Sequence, residues 1–323
     1  MTQDQVVDWL LEKNQPAVRF RTLTEILDRP LDDEEVKSAR SQIPKRGWAA
    51  NILKDQLPDY ERFWTGYWHN YALIDRPKYV STVYKFLVLA DLGVTADNAQ
   101  MAKTCRLLSG RLLKDSRSYH LCKTANITTA FIRAGYDDNH RVRRALDWLV
   151  KVQKEDGGWH CFDSPKGTLD CWEPLAAFAA LPRSRWNKGI KRSVERGAEF
   201  YLERQLFREG SKKYAPWFRF HYPVHYYYDL LVGLEALGPL GYLRDGRAKF
   251  ALAHLQKKRR RDGRWNLDSV HPDLGSETES SYSSEVPFEP FPSIPFKLEE
   301  PGRPSKMITL RAMKVLKQVS LLP

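Results

Sequence analysis

Two short segments of this chain share one design. Gln153–Trp159 reads QKEDGGW and Gln256–Trp265 reads QKKRRRDGRW; each follows an apolar helical stretch, and each joins glutamine, Asp-Gly and tryptophan. A fainter copy is the pair Gly47-Trp48. Trp48, Trp159 and Trp265 lie 111 and 106 residues apart, about the length of two helical hairpins of roughly 50 residues each. A unit recurring at that interval cannot bury its apolar face alone and must stack on its neighbours. Glutamine capping a helix end and tryptophan stacking on it are structural work.

The segments between these turns have helical spacing. VVDWLLEKNQPAVRFRTLTEILD opens the chain, with Pro16 restarting it, and YVSTVYKFLVLADLG, TANITTAFIRAGY, RVRRALDWLVKVQ, WEPLAAFAALP, SVERGAEFYLERQLF, YYYDLLVGLEALG, RAKFALAHLQKK and MITLRAMKVLKQV follow. Several end at glycine or proline, as helices joined by loops do. Strand-like alternation is scarce, so the expected fold class is all-α. Polar or aromatic clusters near Tyr79, His120, Asp170, His225 and Ser305 open successive helices. Residues 266–305, rich in serine, proline and acidic groups, are expected to form one long loop. With 42% apolar and 12% aromatic residues in 323, the chain can bury a substantial core.

The turns and the helix openings resemble the terpenoid cyclase and protein prenyltransferase superfamily, whose QW repeats link outer to inner helices of an α/α toroid. The resemblance covers Tyr79 to Val319 and implies a toroid over residues 47–323, with residues 1–46 as a small helical cap. Inner helices of such a ring start at one end of a central cavity. The segment Gly157–Pro182 looks like the place where prenyltransferase β-subunits hold zinc, and the resemblance implies Asp170, Cys171 and His225 as its ligands. A fourth, open position could hold a substrate thiolate. His160, Cys161 and His221 are competing ligands, and the residue types equally allow Asp170 to cap a helix and Cys171 to sit in the core. His120 and Lys166 match the family's diphosphate-binding histidine and lysine. Trp172, His221, Tyr222 and Tyr226 are the expected substrate-binding side chains, since electron-rich rings pack on isoprenoid chains and solvate cations. Further rings stand at Trp64, Tyr67, Trp68 and Tyr71.

Two rival readings stay open. A metal-free terpene cyclase or isomerase lacks its DxDD motif here and would need a buried acid with a raised pKa, for which Asp229 is the candidate. A non-catalytic toroid would bind a lipid, an acidic protein or nucleic acid. The net charge of +12 favours anionic partners, but no nucleic-acid reader motif accompanies it, and the KKRRR run at 257–261 reads as a solvated helix end. An isoprenoid or other apolar or diphosphate-bearing small molecule is the expected ligand. The prenyltransferase resemblance also implies a separate partner subunit. No apolar stretch approaches the roughly 18 residues of a membrane span, which leaves only peripheral membrane contact. The opening MTQDQVVDWL lacks the features of a secretory signal. The expectation is a cytoplasmic protein whose four cysteines are reduced thiols.

Overall fold

The structure is a computed structural model that describes residues 3–54, 82–112, 120–210, 214–225, 227–270 and 298–321. Among them the chain is helical, with isolated bridges in place of a sheet. The helices are α1 (Gln3–Leu10), α2 (Pro16–Arg21), a π-helical turn (Thr22–Ile26), α3 (Glu34–Gln42), α4 (Gly47–Lys54), α5 (Thr82–Asp91), α6 (Ala99–Leu112), α7 (Leu121–Arg133), α8 (His140–Lys151), α9 (Glu173–Ala180), α10 (Lys188–Glu203), α11 (Leu230–Leu237), α12 (Lys249–Lys257) and α13 (Lys306–Gln318). The all-α expectation holds. No helix among the described residues is long and apolar enough to cross a membrane. Trp64, Tyr67, Trp68, Tyr71, Tyr226 and residues 271–297 of the expected long loop lie outside the described residues.

Local chemistry sets the helix ends. Asn139, Asn187, Asp229 and Ser305 precede α8, α10, α11 and α13, and each side chain accepts a hydrogen bond from a first-turn amide at 2.9 Å, satisfying a donor that the helix cannot. Asp33 caps α3 in the same way.

Burial sorts the helices into two layers. Thr82 to Ala90 of α5 are buried without interruption, and so are Leu121 and Thr124–Ile132 of α7 and Lys306–Met313 of α13. α8 buries only Val142, Ala145, Leu146 and Leu149, the stripe of a helix facing solvent on its other side. Within the inner layer α5 packs on α7, α7 on α9, α9 on α11, and α11 on α13. α13 packs in turn on α2 and the π-helical turn, α2 on α4, and α4 on α5. The outer helices α8, α10 and α12 lie against α7, α9 and α11. Val6, Leu10, Ala17 and Val18 belong to the same apolar core as α5 to α13, and Trp9 is flanked by the cations of Arg264 and Lys306 at 4.9 and 5.0 Å from its ring.

The turns at Trp159 and Trp265 match bond for bond. Each indole Nε1 donates to the carbonyl ten residues earlier, Leu149 at 2.9 Å and Leu255 at 2.8 Å. Each turn glycine has positive φ, +87° at Gly157 and +82° at Gly263, and the aspartate before each accepts from the amide two residues on. Gln153 Nε2 donates to Gly157 O at 2.7 Å. In the second turn Arg259 Nε donates to Gly263 O at 3.3 Å, so Arg259, and not Gln256, is the counterpart of Gln153. Gly47-Trp48 is no third copy of this geometry, because it opens α4.

Candidate functional site

Three cysteines from different places in the sequence meet where α7 and α9 begin. Cys122 stands in the first turn of α7, and Cys171 lies two residues before Glu173 opens α9. α7 and α9 pack side by side with these starts together, and the two sulfurs are 4.0 Å apart. Cys161 follows the first tryptophan turn. An antiparallel bridge from Trp159 to Thr168 folds the intervening loop back on itself, which brings Cys161 Sγ to 3.5 Å from Cys171 Sγ. Glu209 pins the loop from below: it accepts from Thr168 Oγ1 at 2.8 Å and from the Leu169 amide at 3.1 Å.

All three sulfurs lie within 4.8 Å of one another, a spacing that could hold a metal ion. Cys122 and Cys161 are paired as a disulfide, with Cα atoms 6.4 Å apart, inside the range that a bridge spans without strain. Four reduced thiols were expected, so this corrects the reading of composition; Cys105 and Cys171 are the free thiols. Burial, and then the nearby Glu173, push the Cys171 thiol well above its ordinary range. Glu173 itself is buried, and desolvation pushes its carboxyl up to about 8, tempered by its own backbone amide. Neither of its oxygens nor Asn126 Nδ2 reaches hydrogen-bonding geometry with a described residue.

The ligand set that the resemblance implies is not assembled. Asp170 Oδ1 accepts from Trp217 Nε1 at 2.9 Å. His225 is buried among other groups, its ring meeting that of Tyr84 in α5 edge-on at 6.4 Å. Among the described residues the sulfur trio is the group whose ligand atoms gather, and neither Asp170 nor His225 is in it. Of the competing ligands, Cys161 joins the cluster, while His160 Nδ1 accepts the Phe162 amide at 3.0 Å.

The other expected site residues are spread around this end and the interior. His120 is exposed just before α7 and forms no side-chain cap; Lys166 is exposed on the loop between Cys161 and Cys171. Trp172 is buried and donates to Tyr227 O at 3.1 Å, which ties the start of α9 to the segment before α11. His221 and Asp229 form a buried pair, Nδ1 to Oδ2 at 2.6 Å. Burial raises Asp229, but the adjoining His221 and then Arg311 outweigh it and hold the carboxyl below its usual range. Asp229 is therefore a carboxylate rather than the raised-pKa acid that a cyclase would need. It also accepts from the His221 and Val232 amides.

The chain matches no family model and no curated protein.

Sequence reasoning missed a charge network that reaches from the buried Arg311 to the exposed Arg133. Asp91 receives the Tyr222 hydroxyl at 2.9 Å and pairs with Arg133 at 2.6 Å. Burial alone would raise Asp91; Arg133 and Arg21 overcome that and hold it far below the usual carboxylate range. Arg21 binds Glu25 at 2.7 Å, and Arg311 is bonded to Glu235 and donates to His221 O at 3.2 Å. Tyr222, expected to touch substrate, is thus anchored by its hydroxyl. The signal that could have found this network is the presence of charged residues at apolar positions of otherwise buried helices, such as Arg311 in α13.

Proposed function

We propose that this chain is an α/α toroid of the terpenoid cyclase and protein prenyltransferase kind, and that it handles an isoprenoid substrate at the end where α7 and α9 begin. One observation carries the reading: the starts of α7 and α9 and the segment before α11 meet, through Cys122 and Cys171 at 4.0 Å and through Trp172 and Tyr227 at 3.1 Å. In a ring of paired helices the inner helices open onto one mouth, and residues at their starts converge there. The succession of neighbours from α5 to α13 and back to the N-terminal helices suits such a ring, as do the two matched tryptophan turns.

Trp172, Trp217 and Tyr227 supply ring faces at this end, apt for an isoprenoid chain and for positive charge developing on it. His120 and Lys166, exposed nearby, are the groups that would meet a diphosphate as its bond to carbon breaks. Zinc is the metal of this reading, with sulfur and not Asp170 and His225 as its ligands. A separate subunit is the partner, and the cytoplasm the compartment.

The test is incubation of the reduced full-length chain with a panel of prenyl diphosphates, alone and with thiol acceptors, and with neutral polyprenes, followed by mass analysis. Loss of diphosphate with an alkylated acceptor, or isomerisation of a polyprene at constant mass, supports the reading. A folded chain that binds and converts none of them overturns it.

A further inference from the structure

We propose that Cys122, Cys161 and Cys171 together bind one thiophilic divalent cation, zinc first among them, as three thiolates with the fourth position open, and that the Cys122–Cys161 disulfide is the metal-free, oxidised form of that site. A covalent staple needs two sulfurs. The third, Cys171, is buried against both others at 4.0 and 3.5 Å, and a staple gives it nothing to do. Tetrahedral zinc with zinc–sulfur bonds of about 2.3 Å sets its sulfurs about 3.8 Å apart, and the two measured separations bracket that edge.

The scaffold suits a metal as well. Two of the ligands stand at the starts of adjacent, tightly packed helices, and the third sits on a loop held by a backbone bridge and by Glu209. Cys122 and Cys161 are half-buried and Cys171 is buried, so an ion can enter from the Cys122 and Cys161 side. No described carboxylate or imidazole joins the three sulfurs: His160, Asp170 and Glu209 are each engaged elsewhere. The donor set is therefore all sulfur, unlike the mixed aspartate, cysteine and histidine set that the resemblance implies, and an exogenous ligand would complete it.

Oxidation interconverts the two forms. Hydrogen peroxide takes one electron from each of the Cys122 and Cys161 sulfurs, the S–S bond forms, two protons convert the peroxide to two waters, and the ion loses two of its three ligands. A dithiol reverses the exchange by taking up the disulfide itself.

Metal binding is measurable without any substrate, so its outcome is separate from that of the isoprenoid panel. The full-length chain, reduced with a phosphine and freed of metal, is titrated with cobalt(II). Expected are one equivalent bound, a near-ultraviolet sulfur-to-cobalt charge-transfer band, strong visible bands of tetrahedral cobalt, and displacement by zinc. Cys122→Ser, Cys161→Ser and Cys171→Ser should each weaken cobalt binding roughly tenfold or more, while Cys105→Ser and Asp170→Asn leave it unchanged. One equivalent of peroxide should abolish the bands of the wild type, and dithiol should restore them; this arm decides the matter even where a serine variant fails to fold. A folded, reduced wild type without the bands, or bands that survive Cys171→Ser and vanish in Asp170→Asn, would overturn the proposal.

Discussion

At Gly157 the backbone has a φ of +87°, and an added Cβ would stand 2.4 Å from the Arg196 carbonyl oxygen, a backbone atom that cannot swing aside. Gly135 has nearly the same φ, +92°, with nothing within 4 Å of its would-be Cβ. The pair separates two costs. Gly135→Ala should lose only the left-handed penalty of about 1 to 2 kcal/mol, whereas Gly157→Ala should lose at least about 2 kcal/mol more through the forced shift of α10 against the turn. Urea unfolding of both variants measures the difference, and equal losses would disprove the contact. The glycine-tryptophan turns were legible because one residue type in each fixes the conformation. Asp229 was not, because the sign of a buried carboxyl's shift depends on what lies beside it, and Arg311 arrives from 82 positions along the chain.

Helices were read well where their apolar residues run long and badly where they are sparse. α6 escaped notice because Met101, Cys105 and Leu108 are its fully buried apolar residues and polar ones separate them. α5, by contrast, is buried along nearly all its length and announces itself. The register of the second turn also misled: glutamine stands at 256, but the hydrogen bond to the turn glycine comes from Arg259, six residues before the tryptophan as Gln153 is. What the turn selects is a donor at that place and not glutamine as such. Arg259→Gln should therefore stay within about 0.5 kcal/mol of the wild type, and Arg259→Ala should lose about 1 kcal/mol, as read by thermal unfolding followed by circular dichroism. An equal loss in both would show that the guanidinium's stacking over Trp265, at 5.5 Å, matters more than the donor.

Across the whole molecule, buried ionisable groups tie stability to pH, and they do not all pull the same way. Burial drives His225 down to about 3, so the folded state keeps it neutral, while the unfolded chain protonates it near its ordinary pKa of about 6.5. At that group the unfolded state binds the extra proton, so its contribution to stability falls as pH drops. Glu25, where burial is outweighed by Arg21 and then Lys314, is held at about 2 and adds to the fall once pH passes below the ordinary carboxylate range. Glu173, pushed up to about 8, acts the other way, because the folded state keeps its proton where the unfolded chain has released it. Denaturant midpoints measured from about pH 7 down to about pH 4.5 in wild type and His225→Gln should therefore differ in slope, the variant lacking about 1.4 kcal/mol per unit of acid destabilisation below about pH 6.5; a slope unchanged in the variant would place the titration elsewhere. The sulfur cluster was only partly legible at this scale. Its residue types were visible, but that Cys122, 49 positions before Cys171, shares an end with it follows from α7 and α9 running side by side, which no local spacing encodes. One long-range contact carries a further consequence. Lys306 of α13 bonds to Trp9 O and pairs with Glu12 at 2.7 Å, contacts that span almost the entire chain. During synthesis α1 lacks these two contacts until α13 has emerged from the ribosome; the nascent protein should be a better chaperone client than its length suggests, and its resistance to proteases should rise steeply once α13 is out.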